Sequence, residues 1–246
     1  MPITVVGPGD VGSVFVRAAE GAGEGVRVVR RGDDVRTSSL REGPIVVAVR
    51  EEDLAGVAGA LRSAARRAVF VQNGYVEPIL EPLGEITRGL LWFTAKGDFF
   101  HVLGPSPFFG PQAESMVALL TRSGIDAVVI DDPVDQVREK AFKLAWSCVV
   151  GLPVALRATT LAAYLDQERV EAAALVDEVC SVLSATWGIP ISASDAYARL
   201  LETTGELGWM TGSTKGLSMR NGAIAQLGRA HGVATPVNDR LLARLQ

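Results

Sequence analysis

Apolar and polar positions fall into two textures along this chain. Up to about residue 132, short apolar runs read as buried strands: Ile3–Val6, Val26–Val29, Pro44–Val49 and Ala68–Val71. Segments with helical period lie between them, from Val11 to about Ala22 and from Glu51 to Ser63. Further strands are expected over 89–94, 99–103 and 125–130, and a helix over 112–122. Strands alternating with helices predict a parallel sheet with right-handed crossovers. After Asp131-Asp132-Pro133 the period is helical almost throughout: 135–150, 167–187, 192–206, 222–231 and a last helix after Pro236. The expected fold class is therefore α/β, with a parallel-sheet domain over 1–132 and an all-helical C-terminal domain over 133–246. The second domain is expected to carry substrate and dimer contacts.

The first strand runs straight into Gly7-Pro8-Gly9-Asp10-Val11-Gly12, and a helical pattern follows. This is G-x-G-x-x-G with a strand before it and a helix after it, the context of a Rossmann-like dinucleotide site. Gly7 permits the tight turn, Gly9 lets the backbone approach a pyrophosphate, and Gly12 lets the helix pack on the strand. The helix N-terminus adds free N–H groups for phosphates. With 26 glycines in the chain, a glycine-rich turn that holds no ligand is the competing interpretation.

The second strand ends at Arg30-Arg31-Gly32, and the acids Asp33 and Asp34 come only afterwards. An acidic residue at this strand end accepts from ribose hydroxyls, whereas a 2′-phosphate calls for arginine. The two arginines favour NADP(H) over NAD(H); a solvated charge pair is the alternative.

Composition narrows the class. The chain has 246 residues, 48% of them hydrophobic, and a net charge of −4. That charge gives no electrostatic case for nucleic acid or an anionic membrane surface. No apolar run approaches a membrane span, and Met1-Pro2 leads directly into the first strand, so no signal peptide is expected. Cys148 and Cys180 sit in apolar helical contexts and read as reduced core residues of a cytoplasmic protein. His101 and His231 are the only histidines, and no metal-ligand spacing occurs.

The helix after Pro133 carries the most telling pattern. It is largely apolar from Ala141 onward, yet Gln136, Lys140, Lys143, Ser147 and Gly151 form one line at helical spacing. Such a stripe faces either bulk water or a polar cleft. Only four lysines stand against twenty arginines in this chain, and two of them lie on the stripe, which favours the cleft. Asn73-Gly74 follows the strand at Ala68–Val71, where a nicotinamide is expected. Asn-Gly is also a common turn signal.

With these segments in view, the chain resembles the ketopantoate reductases (2-dehydropantoate 2-reductases) over nearly its whole length. The N-terminal glycine turn, the arginine at the second strand end and Gln72-Asn73-Gly74 match that family. So do Lys143-Leu144-Ala145-Trp146-Ser147-Cys148 with Pro153, Asn221-Gly222, and the closing Gly232-Val233-Ala234-Thr235-Pro236-Val237-Asn238. The resemblance implies NADPH-dependent reduction of a 2-keto acid to a 2-hydroxy acid. Lys143 would be general acid to the ketone oxygen, and Asn73 would position cofactor and substrate. Arg50 stands where the family often has a lysine near the cofactor. Lys140, Ser147 and Ser213 would contact substrate.

Some positions depart from the family. Its helix asparagines fall at Ser147 and Gly151, its glutamate ahead of the closing Asn-Gly falls at Gly216, and the segment 212–216 is shortened. Glu202 and Glu206 are the acids nearest to replacing the glutamate. Two functions follow from this mixture. One is an NADPH-dependent reductase of a 2-keto acid or related small carbonyl compound, with a homodimer as the assembly considered. The other is an idle NADP-binding regulatory or assembly protein on the same scaffold. A different member of the wider 6-phosphogluconate-dehydrogenase-like group differs from the first only in substrate.

Overall fold

A computed structural model describes residues 2–35, 42–97 and 99–245. Met1, on which the leader expectation rests, lies outside the described residues. The chain divides into two compact units, one of Met1–Gln72 with Val76–Asp132, the other of Asn73–Tyr75 with Pro133–Gln246.

The first unit follows the order β1 (Ile3–Val6), α1 (Asp10–Gly21), β2 (Val26–Val29), β3 (Ile45–Val47), α2 (Glu51–Ala60) and β4 (Ala68–Phe70). It continues with a short α3 (Glu77–Leu80), then β5 (Thr87–Gly89), β6 (Phe93–Lys96), β7 (Phe99–Val102), β8 (Ser106–Phe109), α4 (Ala113–Arg122) and β9 (Ala127–Val129). Seven strands form one sheet in the order β2-β1-β3-β4-β5-β8-β9. Both faces of its centre are covered, so successive side chains alternate between two cores. Val5, Val46 and Val69 join the cluster that contains Phe15 of α1 and Met116 of α4. Val6, Val47 and Phe70 join the one that contains Leu54 of α2.

The parallel sheet expected from the sequence is broken at one place, where β5 and β8 pair antiparallel. Of the segments expected as strands over 89–94 and 99–103, only Gly89, the end of β5, belongs to the sheet; β6 and β7 form a separate antiparallel hairpin, Phe93 opposite Val102. β8 was not foreseen, because Pro105-Ser106-Pro107 reads as loop. The parallel partner of Pro107 is Val128, and its carbonyl accepts from the Leu90 N–H, so the ring costs no essential donor. β2, expected to be fully buried, is a half-buried edge strand.

In the second unit α5 (Pro133–Val150) leads into α6 (Leu152–Leu156) and α7 (Leu161–Gln167), then α8 (Arg169–Trp187), α9 (Ala193–Thr204), α10 (Asn221–His231) and α11 (Pro236–Ala243). α6 and α7 escape periodicity analysis because they are short and meet at a kink, where Ala158 adopts a left-handed φ of 49°. α8 is the centre of this unit: Leu175, Val176, Val179 and Leu183 lie in one core with Ala141, Leu144 and Cys148 of α5 and Ile224 of α10. Both cysteines are free and buried.

The closing motif holds this unit together. Glu178 on α8 accepts the N–H groups of Val237 and Asn238 at 2.7 and 2.9 Å, which caps the first turn of α11. Asn238, fully buried, accepts from Asn221 Nδ2 at 2.9 Å and donates to the Asn221 carbonyl at 2.9 Å. Burial raises the proton affinity of Glu178, against the lowering effect of those two backbone donors. Among the described residues no helix is long and apolar enough to cross a membrane.

Candidate active site

Strand order reverses between β1 and β3, and ligands of such sheets bind outside the carboxyl ends of the strands at that point. A cleft of about 630 Å³ lies there, lined by Gly7, Pro8 and Gly9 after β1, Arg30 and Arg31 after β2, and Arg50 after β3. The three glycines of the motif separate by role. Gly7 has φ 87°, and a Cβ on it would come within 2.9 Å of the Ala48 carbonyl oxygen. A Cβ on Gly12 would lie 2.1 Å from the Gly7 oxygen and 3.3 Å from Val5, so α1 and β1 can meet only there. A Cβ on Gly9 meets nothing within 4 Å. Gly7 and Gly12 are therefore required by the fold. Gly9 leaves open space on the cleft, which is what a backbone approached by a pyrophosphate needs.

The cleft's cations differ in their engagement. Arg31 pairs with Asp53 of α2 at 2.6 Å, and Arg50 with Glu52 at 3.4 Å. Arg30 gives its backbone N–H to Asp33 at 2.7 Å, while its side chain is exposed. The structure thus brings together Gly7, Pro8, Gly9, Arg30, Arg31 and Arg50. Asp10 is turned elsewhere, accepting the Gly97 N–H at 3.1 Å, and Val11 and Gly12 pack inward.

The polar stripe belongs to the helical unit. Lys143 and Ser147 are each only 3% exposed, so this part of the stripe does not face bulk water, while Gln136 and Lys140 are half-buried. The Lys143 ammonium sits 4.5 Å above the Trp146 ring. Burial, reinforced by the fields of Arg220 and Arg199, pulls its pKa from 10.5 to about 7. The Ser147 hydroxyl donates to the Lys143 carbonyl at 2.8 Å, a bond within its own helix. Lys140 lies 5.0 Å over the Trp187 ring at the end of α8, away from Trp146. Trp187 in turn touches Tyr75, with ring centroids 6.3 Å apart.

The Asn73–Tyr75 segment is fastened to this same unit. The Tyr75 N–H donates to the Met219 carbonyl at 2.6 Å. Gly74 has φ 93°, and a Cβ there would lie 2.6 Å from that carbonyl oxygen, so only glycine permits the approach. Ser213 is exposed, and its hydroxyl accepts from the Lys215 N–H at 3.2 Å. Glu202 and Glu206 are exposed on and after α9, and Gly216 occupies a left-handed turn with φ 65°. The charged neighbours of Lys143, Arg199 and Arg220, were not anticipated. Both lie outside the stripe and converge on it only through packing of α9 and the start of α10 on α5.

This architecture, a Rossmann-type sheet unit followed by an all-helical unit, defines the class. More particularly, it is the fold of the ketopantoate reductases. The 2-dehydropantoate 2-reductase of Methylococcus capsulatus matches with a TM-score of 0.81 at 18% identity, over 100% of this chain and 96% of that one. A dimeric ketopantoate reductase from Staphylococcus aureus matches at 0.77 and 18%, over 99% and 96%. D-mandelate dehydrogenase, solved with NADH, matches at 0.78 and 19%, over 99% and 97%. No family model matches the sequence, and no curated protein matches it.

Proposed function

We propose that this protein is an NADPH-dependent reductase that converts a 2-keto acid or related carbonyl compound to the hydroxy compound. The observation that carries this reading is Lys143: a buried amine, on the helix of the second unit, whose proton affinity is brought to about 7. A general acid works best with a pKa near the operating pH. Burial thus brings the proton affinity of Lys143 down toward neutral pH. Its ammonium would donate a hydrogen bond to the carbonyl oxygen of the substrate, stabilise the negative charge that grows there, and deliver the proton.

The cleft of the sheet unit fits a dinucleotide. Gly9 opens onto it, the α1 N-terminus supplies N–H groups, and Arg30, Arg31 and Arg50 supply charge for a 2′-phosphate. Bound NADPH would supply the hydride. Asn73 would position cofactor and substrate, from a segment whose backbone is pinned by Met219. The dimeric neighbour supports a homodimer as the assembly.

One observation favours the idle NADP-binding alternative: Gly216 brings no side chain, and the hydroxyls of Ser147 and Ser213 are already engaged locally. A single experiment decides. NADPH oxidation is followed across a panel of 2-keto acids, ketopantoate included, with the parent and with Lys143→Ala. Turnover by the parent that falls about 10²–10⁴-fold in the variant, with NADPH affinity kept, supports the reductase. NADPH binding without turnover of any member supports the alternative.

A further inference from the structure

Arg220, the residue just ahead of α10, comes close to Gly151, which follows α5 on the side that bears Lys143 and Ser147. Its guanidinium Nη1 would lie 3.9 Å from a Cβ on Gly151. Its field also lowers the proton affinities of both Lys143 and Cys148. Lys143 and Cys148 lie on α5, which ends at Val150, and Gly151 follows directly, so the guanidinium is placed beside the C-terminal part of that helix. The second arginine, Arg199, differs in being held by Glu139 of α5 and in lying over Phe142 at 5.9 Å. The charges acting on Lys143 thus come from two guanidinium groups, and both add to the cost of burying its ammonium. An anion bound beside Lys143 would reverse that cost.

Arg220 is also placed rigidly. It follows Met219, whose carbonyl takes the Tyr75 N–H and whose backbone presses on Gly74. It precedes Asn221, which is locked to buried Asn238. A guanidinium fork matches a carboxylate in geometry. We propose that Arg220 binds the carboxylate of the substrate, so that the enzyme selects carbonyl compounds with a carboxylate directly bonded to the carbonyl carbon. This rests on the reductase reading given above. In a 2-oxo acid the two groups are separated by a single carbon–carbon bond, so Lys143 meets the oxygen while Arg220 holds the acid.

The probe is oxamate, which presents a carboxylate beside a carbonyl; oxamide, its neutral counterpart, is the control. Binding to the NADPH complex is measured by calorimetry for the parent, Arg220→Gln and Arg220→Lys. Oxamate affinity should fall at least tenfold in Arg220→Gln and less in Arg220→Lys, with oxamide affinity the same in all three. Lysine labelled with ¹³C at Cε gives a readout independent of turnover, because the chain has only four lysines. Oxamate at a concentration that saturates the parent but not Arg220→Gln should raise the titration midpoint of the Lys143 signal in the parent and move it much less in Arg220→Gln. Equal oxamate affinity in parent and Arg220→Gln overturns the proposal, as does a parent that ignores oxamate or does not distinguish it from oxamide. A parent that reduces neutral carbonyl compounds while ignoring oxamate keeps the reductase and loses Arg220. A parent that binds oxamate through Arg220 but reduces nothing keeps Arg220 and loses the reductase.

Discussion

Replacing Lys143 by Met tests the buried amine without any knowledge of the substrate. Met keeps the unbranched shape, one atom shorter, and packs well against an aromatic ring such as that of Trp146. In the unfolded chain Lys143 holds its proton up to about pH 10.5, in the folded chain only up to about 7. Between those values the unfolded state binds more protons, so stability rises with pH. Below pH 7 both states are protonated and the full cost of the buried cation is present. The drop from 10.5 to about 7 corresponds to about 5 kcal/mol. About 3 kcal/mol of it is recovered between pH 6 and 9.5. Burial holds the Cys148 and Cys180 thiols up at about 12. Urea unfolding followed by circular dichroism, from pH 6 to 9.5, gives the difference between variant and parent. The variant should be the more stable at pH 6, and its advantage should shrink by about 3 kcal/mol as pH rises. Parallel pH profiles for the two proteins would refute the buried, depressed amine.

Replacing Arg30 and Arg31 together by Ala removes charge-assisted bonds worth roughly 1.5–3 kcal/mol each, so a calorimetric preference for NADPH over NADH should shrink at least tenfold; equal affinities in the parent refute the 2′-phosphate assignment. Gly9→Val should leave the melting temperature unchanged, since its Cβ meets nothing within 4 Å, while NADPH affinity drops; unchanged affinity would mean that this turn is not the nucleotide site. Asn238→Ala removes both bonds to Asn221 and leaves its Nδ2 only the 3.4 Å bond to the Cys148 carbonyl, at a cost of about 1–3 kcal/mol; stability measured by urea should fall and NADPH binding should not, and a variant as stable as the parent would show the closing motif to be no clasp.

The sheet unit was legible because each of its devices is local. A strand, a glycine turn and a helix lie within the first twenty-odd residues, and the packing roles of Gly7 and Gly12 can be assigned from spacing alone. The long helices α5, α8 and α9 were legible for the same reason, their period being uninterrupted. β8 was hidden by prolines whose missing donors only a sheet context excuses. The antiparallel β5–β8 pair and the separate β6–β7 hairpin depend on pairings distant in sequence. In the site, Lys143 stood out by its place on a stripe. Arg199 and Arg220 did not, because arginines are abundant here and their approach to α5 is tertiary. The clasp of Glu178 on Val237 and Asn238 was equally invisible, since 59 and 60 residues separate the partners.

The three residues Asn73–Tyr75 interrupt the sheet unit's chain and are counted with the helices. A cut between Asp132 and Pro133, the obvious place from composition, therefore does not yield two self-sufficient pieces. The C-terminal fragment would leave the Met219 carbonyl without the Tyr75 N–H and Trp187 without its ring neighbour. The N-terminal fragment would carry away a tripeptide whose anchor is on the other half. Such halves are better suited to reassembly as a split reporter than to study as isolated domains, with the tripeptide as the tether that decides whether they rejoin.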